Sequence, residues 1–130
     1  MKALLICIEN DGKMLRDLLT IQRRLFMMEV TTTREEAFEA FEKEKPDVVL
    51  IKYTGSKTYT ILEQLKESQH HARIIAFTNA YSYFTATLIN IFELHGYVTL
   101  KMSEKMILAI FDEVMAGGTI IPMENRMNSN

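Results

Sequence analysis

The sequence predicts an α/β protein with one parallel sheet and helices on both of its faces. Short apolar runs of strand length alternate with longer stretches whose apolar residues recur at helical spacing. The runs are almost continuously apolar, as strands buried on both faces are. Five Gly and two Pro in 130 residues are few for the many tight turns of a small all-β sandwich. Strand–helix alternation at this spacing implies right-handed crossovers between parallel strands.

Lys2–Ile8 (KALLICI) is the first strand, and Asn10 or Asp11 can cap the helix after it. Leu15, Leu18, Leu19, Gln22 and Leu25 form that helix's apolar stripe. Phe26–Thr31 (FMMEVT) is a more polar strand, suited to a sheet edge. Thr33 with Glu36 fits a capping box, and Ala37, Phe38, Ala40 and Phe41 form the apolar face of the second helix. Pro46 stops it, and Asp47–Ile51 (DVVLI) is the third strand. Thr54-Gly55-Ser56 reads as a turn, followed by a helix with Ile61, Leu62 and Leu65.

Arg73–Thr78 (RIIAFT) is the fourth strand. Asn79 can cap a helix bearing Phe84, Leu88, Ile91 and Phe92, and His95-Gly96 is expected to end it, with His95 placed to favour the helix dipole. Tyr97–Leu100 is the fifth strand. Ser103 can cap a last helix with Met106, Ile107, Ile110, Phe111 and Val114 on one side, closed by Gly117-Gly118. Thr119–Pro122 is expected to add a short stub, and Met123–Asn130 a tail.

The length is that of one domain, and a 48% apolar content is that of a globular one. A net charge of -2 gives no electrostatic case for nucleic acid. The apolar runs are too short to span a bilayer, and no cleavage site follows the first one. The single cysteine, Cys7, excludes an intrachain disulfide and a multi-Cys zinc site and points to a reducing cytoplasm. Its place in an apolar run makes it a core residue. His70 and His71 are adjacent and so share no helix face for a metal. Nine Met residues are compatible with an adaptable binding surface, but Met106 is expected in the core, and Met123 and Met127 in the tail carry no functional signal.

In open parallel sheets ligands bind beyond the C-terminal strand ends. Those ends supply Glu9-Asn10-Asp11, Lys52-Tyr53-Thr54, Thr78-Asn79 and Leu100-Lys101. Neither G-x-G-x-x-G nor G-x-x-x-x-G-K-[ST] occurs, so nucleotide binding through either loop is disfavoured. No Ser/His/Asp or Cys/His arrangement is legible.

On these residues the chain resembles the CheY-like receiver domain, the phosphoacceptor module of two-component response regulators. Ile6–Asp11 matches the family's first strand and acidic pair. Pro46–Lys52 matches its third strand, which ends on the phosphoacceptor Asp. Ile74–Thr78 matches the fourth strand with its signalling Thr. Tyr97 falls at the aromatic switch position, and Lys101 lies near the family's Lys. The stretch from Ala109 to Gly118 is similar to the last helix of the NarL/LuxR-type branch. The resemblance covers roughly residues 2–118. It implies a flavodoxin-like (CheY-like) three-layer sandwich, with a five-stranded parallel sheet in the order 2-1-3-4-5. It also implies a receiver-like domain over 1–118, with 119–130 as a C-terminal stub or the start of a linker.

The departures from the family are chemical. The acceptor position holds Lys52, and an ammonium cannot form an acyl phosphate. Asn10 replaces one of the two acids that hold Mg²⁺ in the family. The loop after Lys52 is about two residues short and lacks the usual Met-Pro. Lys101 comes one residue late, which on a strand reverses the side chain.

The expected function is a phosphorylation-independent pseudo-receiver in bacterial two-component-type signalling. It would be cytoplasmic and non-enzymatic, with no cofactor or metal, and would regulate transcription. Glu9, Asn10, Asp11, Lys52, Thr78 and Lys101 would form the degenerate phosphoacceptor pocket, with Lys52 paired to Glu9 or Asp11. Tyr97 would be the switch-like aromatic, half-buried in the sheet. The resemblance implies a protein partner or homodimer through the fourth helix, fifth strand and fifth helix, or through the first and fifth helices. It implies no membrane contact, and DNA contact only through a further domain. Two alternatives stand beside it. One is a small-ligand or anion-binding protein or enzyme using Lys52, Lys101 and Glu9; the other is a receiver phosphorylated at Glu9 or Asp11.

Overall fold

A strand that is apolar on both faces needs cover on both, and the five described helices supply it here. The structure is a computed structural model that describes residues 2–7, 12–23, 26–31, 33–68, 71–80 and 83–118. The elements are β1 (Lys2–Ile6), α1 (Lys13–Arg23), β2 (Phe26–Thr31), α2 (Arg34–Glu44), β3 (Val48–Lys52), α3 (Ser56–Glu67), β4 (Arg73–Thr78), α4 (Tyr83–Phe92), β5 (Gly96–Thr99) and α5 (Glu104–Met115). The strands form one sheet in the order β2-β1-β3-β4-β5, and every neighbouring pair is parallel. The order reverses between β1 and β3, which puts the crevice of an open α/β sheet at their C-terminal ends.

Side chains alternate across a strand, so the sheet builds two cores. Leu4, Ile6, Val49, Ile51, Ala76 and Tyr97 face α2, α3 and α4, which contribute Ala37, Ala40, Ile61, Leu62, Leu88 and Phe92 among others. Leu5, Val48, Leu50, Ile75, Phe77 and Val98 face α1 and α5 through Leu15, Leu19, Ile107, Ile110, Phe111 and Val114. Asp47 fixes the opposite end of the sheet. Its backbone N–H donates to the Lys2 carbonyl at 2.8 Å and its carbonyl accepts from Arg73 N at 3.0 Å. Its carboxylate accepts from Lys2 N at 2.8 Å.

Two helix starts follow their capping residues. Thr33 Oγ1 accepts from Glu36 N at 3.1 Å, and Ser103 Oγ accepts from Met106 N at 3.1 Å. Helix α2 closes on Lys45 in the left-handed region, with φ 47°, just before the buried Pro46.

Several boundaries and faces differ from the sequence expectation. Strand β1 ends at Ile6, and the buried Cys7 lies just past it. Helix α1 ends at Arg23 with Gln22 exposed, so its stripe closes at Leu19. Asn79 does not cap α4, which begins four residues later. Ile91 and Met106 are exposed rather than core, because Leu88, Ile89 and Phe92 on α4 and Ile107, Ile110 and Phe111 on α5 already fill the side facing the sheet. Gly96 does not end α4. The left-handed residue there is Glu93, with φ 52°, and Gly96 is the first residue of β5. His95 likewise does not serve the helix dipole: its Nδ1 accepts from Ile74 N at 3.0 Å. That bond requires a lone pair on Nδ1, so the neutral ring carries its proton on Nε2.

Packing explains Gly96. A Cβ on it would sit 2.8 Å from Val114 Cγ2 and 3.3 Å from Ile75 Cγ1, so the missing side chain is what lets α5 approach β5. Gly96→Ala is expected to lower stability by about 1–3 kcal/mol through overpacking, measured by urea unfolding. Adding Val114→Ala should recover part of that loss, because the two changes share one contact.

Candidate functional site

The C-terminal edge of the sheet is assembled from the ends of β3, β4 and β5. Lys52 is the last residue of β3 and is only 2% exposed. It lies opposite Phe77 in the β3–β4 register, and Tyr53 N continues the ladder to Phe77 O at 3.0 Å. Alternation along β3 puts Lys52 on the face of Val48 and Leu50, which is the α1 and α5 side. A long ammonium side chain this deep cannot rely on bulk water, unlike a strand-end lysine that reaches solvent along its stem.

The loop that follows is held from inside. Gly55 takes φ 139°, a conformation open to glycine and strained for other residues. The fully buried Thr58 accepts from the backbone N–H groups of Thr54 at 3.0 Å and Gly55 at 3.3 Å, and donates to Gly55 O at 2.9 Å. One hydroxyl proton and two lone pairs are thereby all used. The sequence reading placed the turn at Thr54-Gly55-Ser56 and missed Thr58. The signal was a Thr three residues after the Gly that precedes the helix. Beside Lys52, the Tyr53 phenol is held above its ordinary pKa, first by burial and then by repulsion from Tyr59.

At the end of β4, Thr78 is buried. Its hydroxyl lies 2.5 Å from the Tyr97 hydroxyl and donates to Ala80 O at 2.9 Å. Tyr97 is 1% exposed, fully inside rather than half-buried. Lys101 behaves differently. Strand β5 stops at Thr99, Met102 N turns back to Thr99 O at 3.1 Å, and Lys101 is exposed in that turn. Lys52 and Thr78 are thus buried at the strand ends and Tyr97 is buried within β5, whereas Lys101 is exposed. Glu9, Asn10 and Asp11 lie outside the described residues.

The resemblance implies Mg²⁺ at such an edge. Mg²⁺ takes anionic oxygen ligands in octahedral geometry. At the end of β3 the chain offers a buried ammonium where a carboxylate oxygen would be needed, so the residues do not fit the ion. Among the described residues, no three His, Cys, Asp or Glu side chains gather as a metal cluster.

Two other surface features stand out. On α1, Met14, Leu18 and Ile21 recur at i, i+4 and i+7. Ile21 is 71% exposed. With Asp17, Gln22 and Glu104 they line a groove of about 300 Å³ against the start of α5. A larger cleft of about 580 Å³, lined by Lys66, His71, Phe92, Glu93 and His95 among others, lies between the C-terminal ends of α3 and α4. That is the opposite end of the sheet from Lys52. No described helix is long and apolar enough to cross a membrane.

No protein-family model matches the chain, and no curated protein matches it in sequence. Solved structures do resemble it. The isolated REC domain of RcsB from Salmonella enterica serovar Typhimurium, in the presence of phosphomimetic BeF3-, superposes with a TM-score of 0.82 at 11% identity, covering 98% of this chain and 96% of that one. A LuxR-family two-component response regulator from Aurantimonas sp. SI85-9A1 gives 0.80 at 19% identity, over 97% and 92%. The Thermotoga maritima response regulator DrrB, an OmpR/PhoB homolog, gives 0.70 at 17% identity, with 89% of this chain against 53% of that longer one. At such identities the likeness is one of fold: the chain has the receiver architecture.

Proposed function

We propose that the chain is a pseudo-receiver: a protein-interaction module of two-component-type signalling whose working state does not depend on phosphorylation. One observation carries this reading. In a receiver fold, the end of β3 is occupied by a buried lysine. An ammonium offers no oxygen for an acyl phosphate and repels the cation that the reaction needs. The unit would be residues 1–118, with 119–130 as a stub or the start of a linker. Its place would be the cytoplasm, and contact with DNA would come through a further domain. Incubation with acetyl phosphate and Mg²⁺ followed by intact-mass measurement tests the reading. No added phosphate is expected, and a clear adduct on Glu9, Asp11 or any other acceptor overturns it. Lys52→Asp is expected to restore phosphorylation only partially, because Asn10 still lacks the second anionic ligand.

Within this reading, Lys52 stands in for the metal and pairs with Glu9 or Asp11, while Lys101 plays no part in the pocket. Burial of Lys52 supports the pairing, since a charge out of water needs a counter-charge. Neutralising the true partner, by Glu9→Gln or Asp11→Asn, is expected to cost about 3–5 kcal/mol, well above the roughly 0–1 kcal/mol of a surface pair. In a Lys52→Met background the same change should cost far less. Equal costs in both backgrounds, read from urea midpoints, would rule the pairing out.

For the contact surface, exposure among the described residues supports the α1 and α5 side. The most exposed large apolar side chain among the described residues is Ile21, on the same flank of α1 as the exposed Met14, while Leu18 between them packs into the core. An apolar stripe is complementary to itself, so a second copy about a two-fold axis is the proposed occupant. Ile21→Asp is expected to abolish dimer formation in light scattering while leaving the melting temperature within a few degrees. A monomeric wild-type chain at high concentration, or a variant that still dimerises, contradicts this surface.

A further inference from the structure

His95 holds Ile74 twice. Its backbone N–H donates to the Ile74 carbonyl at 2.9 Å, and its Nδ1 accepts from the Ile74 N–H at 3.0 Å. The first bond is an ordinary rung between β4 and the chain entering β5. The second puts a side chain where a parallel ladder uses a backbone carbonyl, which by register would be that of Glu93. Glu93 instead turns left-handed, with φ 52°, and Leu94 N bonds back to Ile89 O at 3.2 Å. Helix α4 thereby closes on itself just before the strand, and the His95 ring serves the Ile74 N–H.

That bond exists only while Nδ1 keeps its lone pair. A protonated imidazole donates from both nitrogens, so an Nδ1–H would face the Ile74 N–H and the attraction would become repulsion. The ring is half-buried and lies on the α3 and α4 side of β5, because Gly96 beside it faces Val114 and Ile110 of α5. The titratable groups that line the cleft with it are Lys66 from α3, His71 ahead of β4 and Glu93 after α4. The Lys66 ammonium donates to Ile91 O at 2.6 Å. Arg73 on β4 reaches toward Gly117 instead, its Nη2 3.8 Å from where a Cβ there would sit. Lys66 and a charged His71 oppose a further cation, and Glu93 favours one. We propose that His95 is a proton-sensitive latch. The neutral ring holds the entry of β5 to β4; protonation releases the Ile74 N–H and loosens the junction between α4 and β5. The native bond needs the neutral ring and the unfolded chain does not, so the unfolded chain binds more protons and stability falls as pH falls through the imidazole range. The latch lies at the end of the sheet opposite Lys52 and does not rest on the pseudo-receiver reading.

NMR and urea unfolding of the whole chain, at about pH 7.5 and about pH 5.5, on either side of the ordinary imidazole range, test the latch. At the higher pH the ring nitrogen shifts of His95 should show the proton on Nε2, and the Ile74 amide should exchange slowly. At the lower pH its protection, corrected for the intrinsic exchange rate, should fall about tenfold, the worth of one hydrogen bond. His95→Asn places an amide oxygen close to the Nδ1 position and does not titrate. On acidification the folded-to-unfolded ratio of the wild type should fall about tenfold further than that of His95→Asn. Every other titrating group is common to both chains and cancels. His71→Asn should keep the wild-type dependence. The proposal is overturned if His95→Asn follows the same pH dependence as the wild type, if the ring proton sits on Nδ1 at the higher pH, or if the Ile74 amide stays protected at the lower one. Should His95→Asn fail to fold, the tautomer and the Ile74 protection of the wild type still decide.

Discussion

Both faces of the sheet are covered by helices, and that burial governs every polar group the strands carry. Water does not reach Lys52, Thr78 or Thr99, all of them buried, so what each group can do is set by the protein around it. Thr78 answers the constraint with Tyr97 and the Ala80 carbonyl. Thr58, under the β3–α3 loop, answers it with two backbone N–H groups and a carbonyl. For a hydroxyl the requirement is light, because its one proton and two lone pairs are easily matched. For an ammonium it is severe, and Lys52 is where the fold carries its largest electrostatic demand.

The same constraint separates architecture from chemistry. Helices on both faces, short apolar strands and close approaches such as that of Gly96 to Val114 are properties of packing. They tolerate great divergence, which is why structures at 11–19% identity superpose well. Phosphotransfer depends instead on a few oxygen atoms at one end of the sheet. Replacing the central one with a cation leaves the packing intact and removes the chemistry. Fold and function can therefore part at a single position, and the proposed reading assigns that position to Lys52.

The parts of the fold legible in the sequence are those set by local pattern. Each apolar run became a strand, and Thr33 and Ser103 capped the helices they precede, because a side-chain oxygen acting two or three residues along depends on nothing distant. What depended on distant neighbours was not legible. Gly96 reads as a helix stop, yet its role is set by Val114, eighteen residues away. Met106 and Ile91 read as core, because a helix wheel alone does not say which flank a neighbouring element leaves open. His95 reads as a charge near a helix end, whereas its partner is the backbone of Ile74. At the site, Lys52 and Thr78 were located by strand period. The exposure of Lys101 followed from a turn at Thr99 that no residue type announces.

The proposed reading bears on the switch as well as on the pocket. A receiver pocket that responds to a modification needs a hydroxyl free to turn toward it and a strand-end charge that the modification can alter. Here the Thr78 proton is directed to Ala80, and the charge at the end of β3 belongs to a side chain that phosphate cannot modify as it does a carboxylate. Each feature alone would weaken a switch. On the proposed reading, both the input and the transmission of such a switch would be absent. On that reading the surface matters most, and among the described residues the most exposed large apolar side chains are Ile21 on α1 and Met106 on α5.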